Sequence, residues 1–199
     1  MIFFRRDARG FEDKINMAVF PGLQGGPHVH QVAAVATQLK EVSSPAFKAY
    51  ARQVRANAAA LANALMAKDF VLTTGGTVNH LMVWDLRPTG LTGSKMQVIC
   101  DACQITLNKN TVPGDVSALT PGGVRIGSPA LTTRGLKESD FVQIGSFLES
   151  ALNIALEIQK TTGKKLKAFQ EAVDASSEVK ALRDAVMTFS TGFPMPGFD

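Results

Sequence analysis

Residues 122–135 read GGVRIGSPALTTRG. At their centre one arginine, Arg125, stands between two β-branched apolar residues, Val124 and Ile126. The glycines before this run and Ser128-Pro129 after it bracket a short strand followed by a turn. In so apolar a segment the guanidinium either escapes to a sheet edge or is buried. A buried guanidinium must be paired, because an uncompensated buried charge costs several kcal/mol. Its planar fork matches a carboxylate, so a structural aspartate and a bound carboxylate ligand satisfy it equally well.

Working outward, residues 108–123 hold two prolines and three glycines without periodicity. A loop of that length inside a compact domain is commonly a binding loop or lid. Before it, residues 105–107 predict a short strand, and Gly93-Ser94 opens a helix to about Ala102. Residues 70–72 and 80–86 read as strands joined by a turn at Thr74-Gly75-Gly76; the second is apolar on both faces and so belongs inside a sheet. Further upstream, Val32, Val35, Leu39 and Val42 recur at helical spacing. After Pro45 the pattern restarts with Phe47, Tyr50, Val54, Ala58, Leu61 and Leu65. Downstream, Glu138 and Asp140 suit the positive end of a long helix striped by Phe141, Ile144, Leu148, Ala151, Ala155 and Ile158. Leu166, Phe169 and Val173 mark another helix, Val179, Leu182 and Val186 a last one, and an irregular tail follows. The class is mixed α/β, with strands and then helices in the C-terminal half.

The 199 residues suit one large domain, or a small domain with part of another. Net charge is +4, and only Lys164, Lys165 and Lys167 cluster. That is too sparse for a nucleic-acid surface. No apolar run approaches the roughly eighteen residues of a membrane span. MIFFRR (residues 1–6) is too short in its apolar core for a signal peptide. It reads as a strand cut from something longer. Cys100 and Cys103 fall near the C-terminal end of their helix, where the macrodipole disfavours thiolate. No second pair completes a zinc site, so they read as small residues on a helix face. His28 and His30, two apart at a helix start, should not face each other, and no metal site is expected.

Two further motifs bear on ligands. Gly25 and Gly26 in LQGGPH let the backbone approach a ligand closely, and Pro27 suits the first helical position. Free N–H groups there favour a phosphate, although a plain turn into a helix fits equally. Asn108-Lys109-Asn110 leads into the long loop; its asparagines serve either to cap backbone or to meet a ligand.

Together these segments resemble serine hydroxymethyltransferase. The matching runs are VFPGLQGGPHVH (residues 19–30), NHLMVWDLRPTGLTG (79–93), ITLNKNTVPGD (105–115), PGGVRIGSPALTTRG (121–135) and FPMPGF (193–198), in the family's order and spacing, with a eukaryotic style of loop. The resemblance implies a fold-type-I enzyme that uses pyridoxal phosphate to interconvert serine and glycine, passing the one-carbon unit to tetrahydrofolate. It also implies a homodimer or homotetramer, cytoplasmic or mitochondrial. On this reading residues 1–66 are the remnant of the cofactor-binding large domain and residues 67–199 the small C-terminal α+β domain. Arg125 matches the arginine that binds the amino-acid carboxylate. Gly25 and Gly26 match the loop reaching a neighbour's cofactor phosphate, and Lys109, Asn110, Ser117, Ala118 and Leu119 match the folate side. The family's Schiff-base lysine follows a threonine-rich run ending His-Lys, and no lysine here has that context. The chain is therefore expected to be a C-terminal portion, inactive alone, whose lysine precedes Met1. Val78 and Gln97 depart from the usual aspartate and glutamate. The alternatives are another fold-type-I enzyme acting on an amino acid and a non-catalytic dimerisation module.

Overall fold

The computed structural model describes residues 2–198. Two compact units divide the chain between Phe47 and Lys48. In the first, α1 (Phe11–Met17) runs into an irregular helical turn (Ala18–Leu23), and α2 (Val29–Val42) follows the Gly25-Gly26 loop. Helix α3 (Pro45–Met66) starts at the proline that breaks α2 from it.

The helical spacing of Val32, Val35, Leu39 and Val42 gives α2, yet these side chains remain 59, 54, 53 and 38% exposed. No described residue up to Phe47 is buried, so this unit has no core of its own. Residues 2–6 are exposed and form no strand, because strand backbone needs a neighbour to receive its hydrogen bonds; Met1 lies outside the described residues. One local expectation is corrected. Pro27 precedes His28, the N-cap of α2, instead of taking the first helical position.

The second unit is built on a four-stranded antiparallel sheet, ordered β1 (Val71–Leu72), β2 (Leu81–Asp85), β4 (Gly123–Gly127), β3 (Asn108–Asn110). Helix α4 (Gly93–Ala102) joins β2 to the edge strand. After β4 come α5 (Pro129–Thr133), α6 (Glu138–Thr162), α7 (Leu166–Ala175) and α8 (Ser177–Thr191). One sheet face contributes Leu72, Met82, Trp84, Val124 and Ile126 to a core completed by Met96, Ile99, Phe141, Leu148, Phe169 and Val186. Leu61 and Leu65 of α3 join it.

The edge strand lies three residues later than residues 105–107. Ile105 N–H instead closes the end of α4 on the Cys100 carbonyl at 2.8 Å, and Leu107 turns into the core. Asn108, Lys109 and Asn110 pair with Arg125, Val124 and Gly123. An edge strand has a partner on one side only, so polar side chains fit it better than the apolar run before it.

Helix α6 is long and apolar enough, by length and composition, to cross a membrane, contrary to the expectation that no apolar run approaches such a span. Its Phe141, Leu148, Ala151, Leu152 and Ala155 are buried in the core. Asp140 accepts the Lys137 backbone N–H at 2.8 Å at its start. At its other end the ammonium of Lys95, a residue 2% exposed, donates to the Gly163 carbonyl at 2.5 Å and to Gln159 Oε1 at 2.8 Å. The positive charge thus meets the negative end of the helix, while burial lowers the Lys95 pKa.

Gly93 opens α4 against β4: a Cβ there would run into the Gly123 carbonyl oxygen and approach Pro121 O to 3.0 Å. Because backbone cannot step aside as a side chain can, Gly93→Ala should cost ~3 kcal/mol or more in urea unfolding. Cys100 and Cys103 are both buried and unpaired by disulfide. Burial pushes both thiols up, Cys103 to about 11. The folded chain should therefore leave both unreactive to a disulfide reagent at neutral pH, with reaction appearing only in denaturant.

Candidate functional site

Antiparallel pairing fixes which side chains share the face opposite the core. Arg125 lies across from Val83 on one side and Asn108 on the other. Directly opposed residues point to the same face, with Cβ atoms about 5 Å apart. Val124 and Ile126 are buried and Arg125 is exposed, so period-two alternation carries the guanidinium onto the open face of an interior strand. It has no acidic partner among the described residues.

The same alternation separates two neighbours that the sequence treats together. Asn110 shares the Arg125 face, whereas Lys109 shares the line of Val124 and lies on the other side of β3. The Asn110 amide donates to Thr111 O at 2.6 Å, and Lys109 N–H donates to Gln97 Oε1 at 2.9 Å. Ser117, Ala118 and Leu119 stand exposed in the loop between β3 and β4, where Ser117 Oγ accepts the Leu119 N–H at 3.2 Å.

That loop is held by groups to which the sequence reading gave no role. Asp115 Oδ2 accepts the N–H groups of Val112 (2.9 Å) and Gly122 (2.8 Å), drawing the two ends of the loop onto one carboxylate. Arg87 clamps Asp85 with two short bonds, Nε to Oδ1 at 3.0 Å and the terminal amino group to Oδ2 at 2.7 Å. Its other amino group lies 3.8 Å from Asp115. The visible signal was a charged pair straight after an apolar strand, Asp85-Leu86-Arg87, and the aspartate of PGD. The backbone bonds to Gly122 and Val112 hold the Asp115 carboxyl below its usual 3.8, and the Arg87 side chain does the same for Asp85.

The Ser128–Arg134 run has a structural purpose. Ser128 Oγ donates to Val54 O at 2.7 Å, and Asn57 Nδ2 reaches both Thr132 Oγ1 and Leu136 O at 2.9 Å. Arg134 donates to Ser190 O (2.6 Å), Phe193 O (3.0 Å) and Pro194 O (3.0 Å), pinning the tail. The run expected as a turn contains the short helix α5.

In the first unit, Gly25 and Gly26 are exposed, and a Cβ added to either would meet nothing within 4 Å. Packing within the chain does not demand glycine there, and no side chain caps the start of α2. His28 and His30 stack with ring centroids 5.7 Å apart, contrary to the expectation that they would not meet. His28 is extended (φ −85°, ψ 94°) outside the helix, which breaks the helical separation of positions two apart. Among the described residues no cluster of three metal-ligating side chains occurs.

Because both aspartates are depressed, their stabilisation is complete above about pH 4 and is lost as pH falls through their folded values. Acid titration followed by hydrogen exchange should release the Val112 and Gly122 amides below pH 4. Asp115→Asn should raise exchange of these two amides by about tenfold at neutral pH while leaving core amides unchanged.

A family model described as serine hydroxymethyltransferase matches residues 4–148. The chain is 54% identical over its whole length to serine hydroxymethyltransferase 4 of Arabidopsis thaliana, covering 45% of that protein. It is 45% identical to the serine hydroxymethyltransferase of Bombyx mori, over the whole chain and 46% of that protein. It is also 45% identical to the cytosolic serine hydroxymethyltransferase of Oryctolagus cuniculus, over 99% of the chain and 44% of that protein. The chain thus spans about half the length of the relatives it matches. It belongs to the serine hydroxymethyltransferase family, fold-type-I transferases dependent on pyridoxal phosphate.

Proposed function

We propose that this chain forms the C-terminal portion of a serine hydroxymethyltransferase, interconverting serine and glycine with transfer of the one-carbon unit to tetrahydrofolate, and that it is inactive alone. The observation that carries the reading is Arg125, exposed on an open sheet face with no acidic partner among the described residues. A guanidinium so placed can grip the α-carboxylate of serine or glycine with two parallel hydrogen bonds. That grip orients the amino acid without taking part in bond cleavage.

Pyridoxal phosphate, when bound, supplies the electron sink that lets a bond at the amino-acid α-carbon break. The residues present fit such sites in separate places. Gly25 and Gly26 leave bare backbone to receive the phosphate of a neighbouring subunit's cofactor, and Arg125 receives the carboxylate. No lysine of the chain follows a histidine in the family's threonine-rich context. The reacting centre therefore depends on residues the chain does not supply. Asn110 and the Ser117–Ala118–Leu119 stretch, with Lys109 on the far face of β3, are assigned to the folate side. The loop tether at Asp115 keeps that stretch next to the Arg125 strand.

In the intact protein, residues 1–66 are assigned to the large domain and 67–199 to the small one, working as a homodimer or homotetramer in the cytoplasm or mitochondrion. A second reading, a non-catalytic dimerisation module, draws on the absence of any buried residue among those described up to Phe47 and on the exposed stripe of α2. Such an apolar surface wants a partner whether or not turnover follows.

Treating the isolated chain with pyridoxal phosphate and borohydride should label no single lysine stoichiometrically; one uniquely labelled lysine would contradict the inactivity. In a complete enzyme containing this segment, Arg125→Ala should weaken glycine binding about 100-fold, the loss of two charge-assisted hydrogen bonds. Unchanged glycine affinity would remove Arg125 from the site and leave the module reading.

A further inference from the structure

A cavity of about 340 Å³ lies in the second unit, behind the sheet from Arg125. Ile126 of β4 forms part of its wall, and the side chain of Arg125, one residue away, projects to the opposite face. The remaining wall is apolar and aromatic, with Leu131, Ile144, Phe147, Phe189 and Phe193 prominent. Phe147 meets Phe189 edge-on at 5.5 Å, and Phe189 meets Phe193 at 5.2 Å, giving a rigid aromatic side. It opens to solvent past Gln104 and Thr106 and falls at the lower end of the range of small-molecule pockets, about 300–1,000 Å³.

Its polar groups are few. Gln104, Thr106, Arg134 and Ser190 stand in the lining, Arg134 being its one charged residue, with no aspartate or glutamate among them. Arg134 spends Nε and one terminal amino group on three carbonyl oxygens of the tail. Its other amino group has no hydrogen-bond partner among the described residues, and no carboxylate neutralises it. The three tail carbonyls fix the guanidinium in place, so its spare donors are already oriented before anything binds.

We propose that this cavity is a second binding site, separate from the Arg125 face, for a small apolar carboxylate. The aromatic or branched body of the ligand fills the space among Ile144, Phe147 and Phe189, and its carboxylate meets the free amino group of Arg134. A neutral ligand of the same shape gains the packing but lacks the charge-assisted bond.

The test uses the full chain with 2-naphthoate and its neutral counterpart 2-naphthalenemethanol, titrated by calorimetry. The acid should bind saturably, one to one, at least about tenfold more tightly than the alcohol. Intermolecular nuclear Overhauser contacts should reach the rings of Phe147 and Phe189. Arg134→Gln should abolish the preference for the acid while the alcohol's affinity stays the same. Since Arg134 also anchors the tail, Ile144→Trp provides an independent variant, filling the cavity and eliminating binding of both probes. Absence of saturable binding, equal affinity for acid and alcohol, or contacts confined to the exposed side chains of α2 would each overturn the proposal.

Discussion

Period-two alternation along β4 decides what this chain can offer a ligand. Val124 and Ile126 lock the strand into the core, and that commitment leaves Arg125 only the opposite face. Slipping the register by one residue would bury the guanidinium and expose two β-branched side chains, so the apolar neighbours are what keep the charge outward. Pairing with β2 and β3 on both sides then holds Arg125 within a sheet instead of at a mobile rim. An arginine in an apolar run is thus compatible with ordinary sheet chemistry, and its exposure without an acidic partner is what distinguishes it.

Around that strand the chain concentrates close backbone approaches and internal hydrogen bonds. Gly93 and Gly123 allow α4 to start against β4 and β2 to lie beside it. Asp115 gathers both ends of the long loop, and Arg87 is held against Asp85 next to it. Ser128 and Thr132 are consumed in tying the segment after β4 to α3. Much of the polar content in residues 122–135 therefore builds the platform, and Arg125 is left exposed without an acidic partner among the described residues.

The long helices α3, α6 and α8 were legible because each has a sustained apolar period: Val54 to Leu65, Phe141 to Ala155 and Val179 to Val186 all report their buried faces directly, whereas α1 and α5 are too short to show one. The central strands were legible from their apolar density. The edge strand was misplaced because Ile105 to Leu107 look more strand-like than Asn108 to Asn110, while hydrogen-bonding partners on β4, invisible in local composition, select the latter. Arg125 stood out from its neighbours alone, but which way it faced required the register. The Asp85–Arg87–Asp115 tether escaped notice because its members are 30 residues apart at most in sequence and meet only through the fold. The stacking of His28 on His30 likewise needed the extended backbone of the cap.

The two units differ in how much apolar surface they bury. The second has a continuous core; among the described residues up to Phe47 none is buried, and most apolar side chains are exposed. The proposed function rests on an exposed Arg125 without an acidic partner among the described residues and on a sequence without a lysine in the family's context. The most direct measurement is complementation: the chain is mixed or co-expressed with the lysine-bearing N-terminal half of a serine hydroxymethyltransferase, and tetrahydrofolate-dependent conversion of serine to glycine is followed. Turnover from the mixture and none from either part alone is the expected result. Stable association of the two parts with no turnover would contradict it.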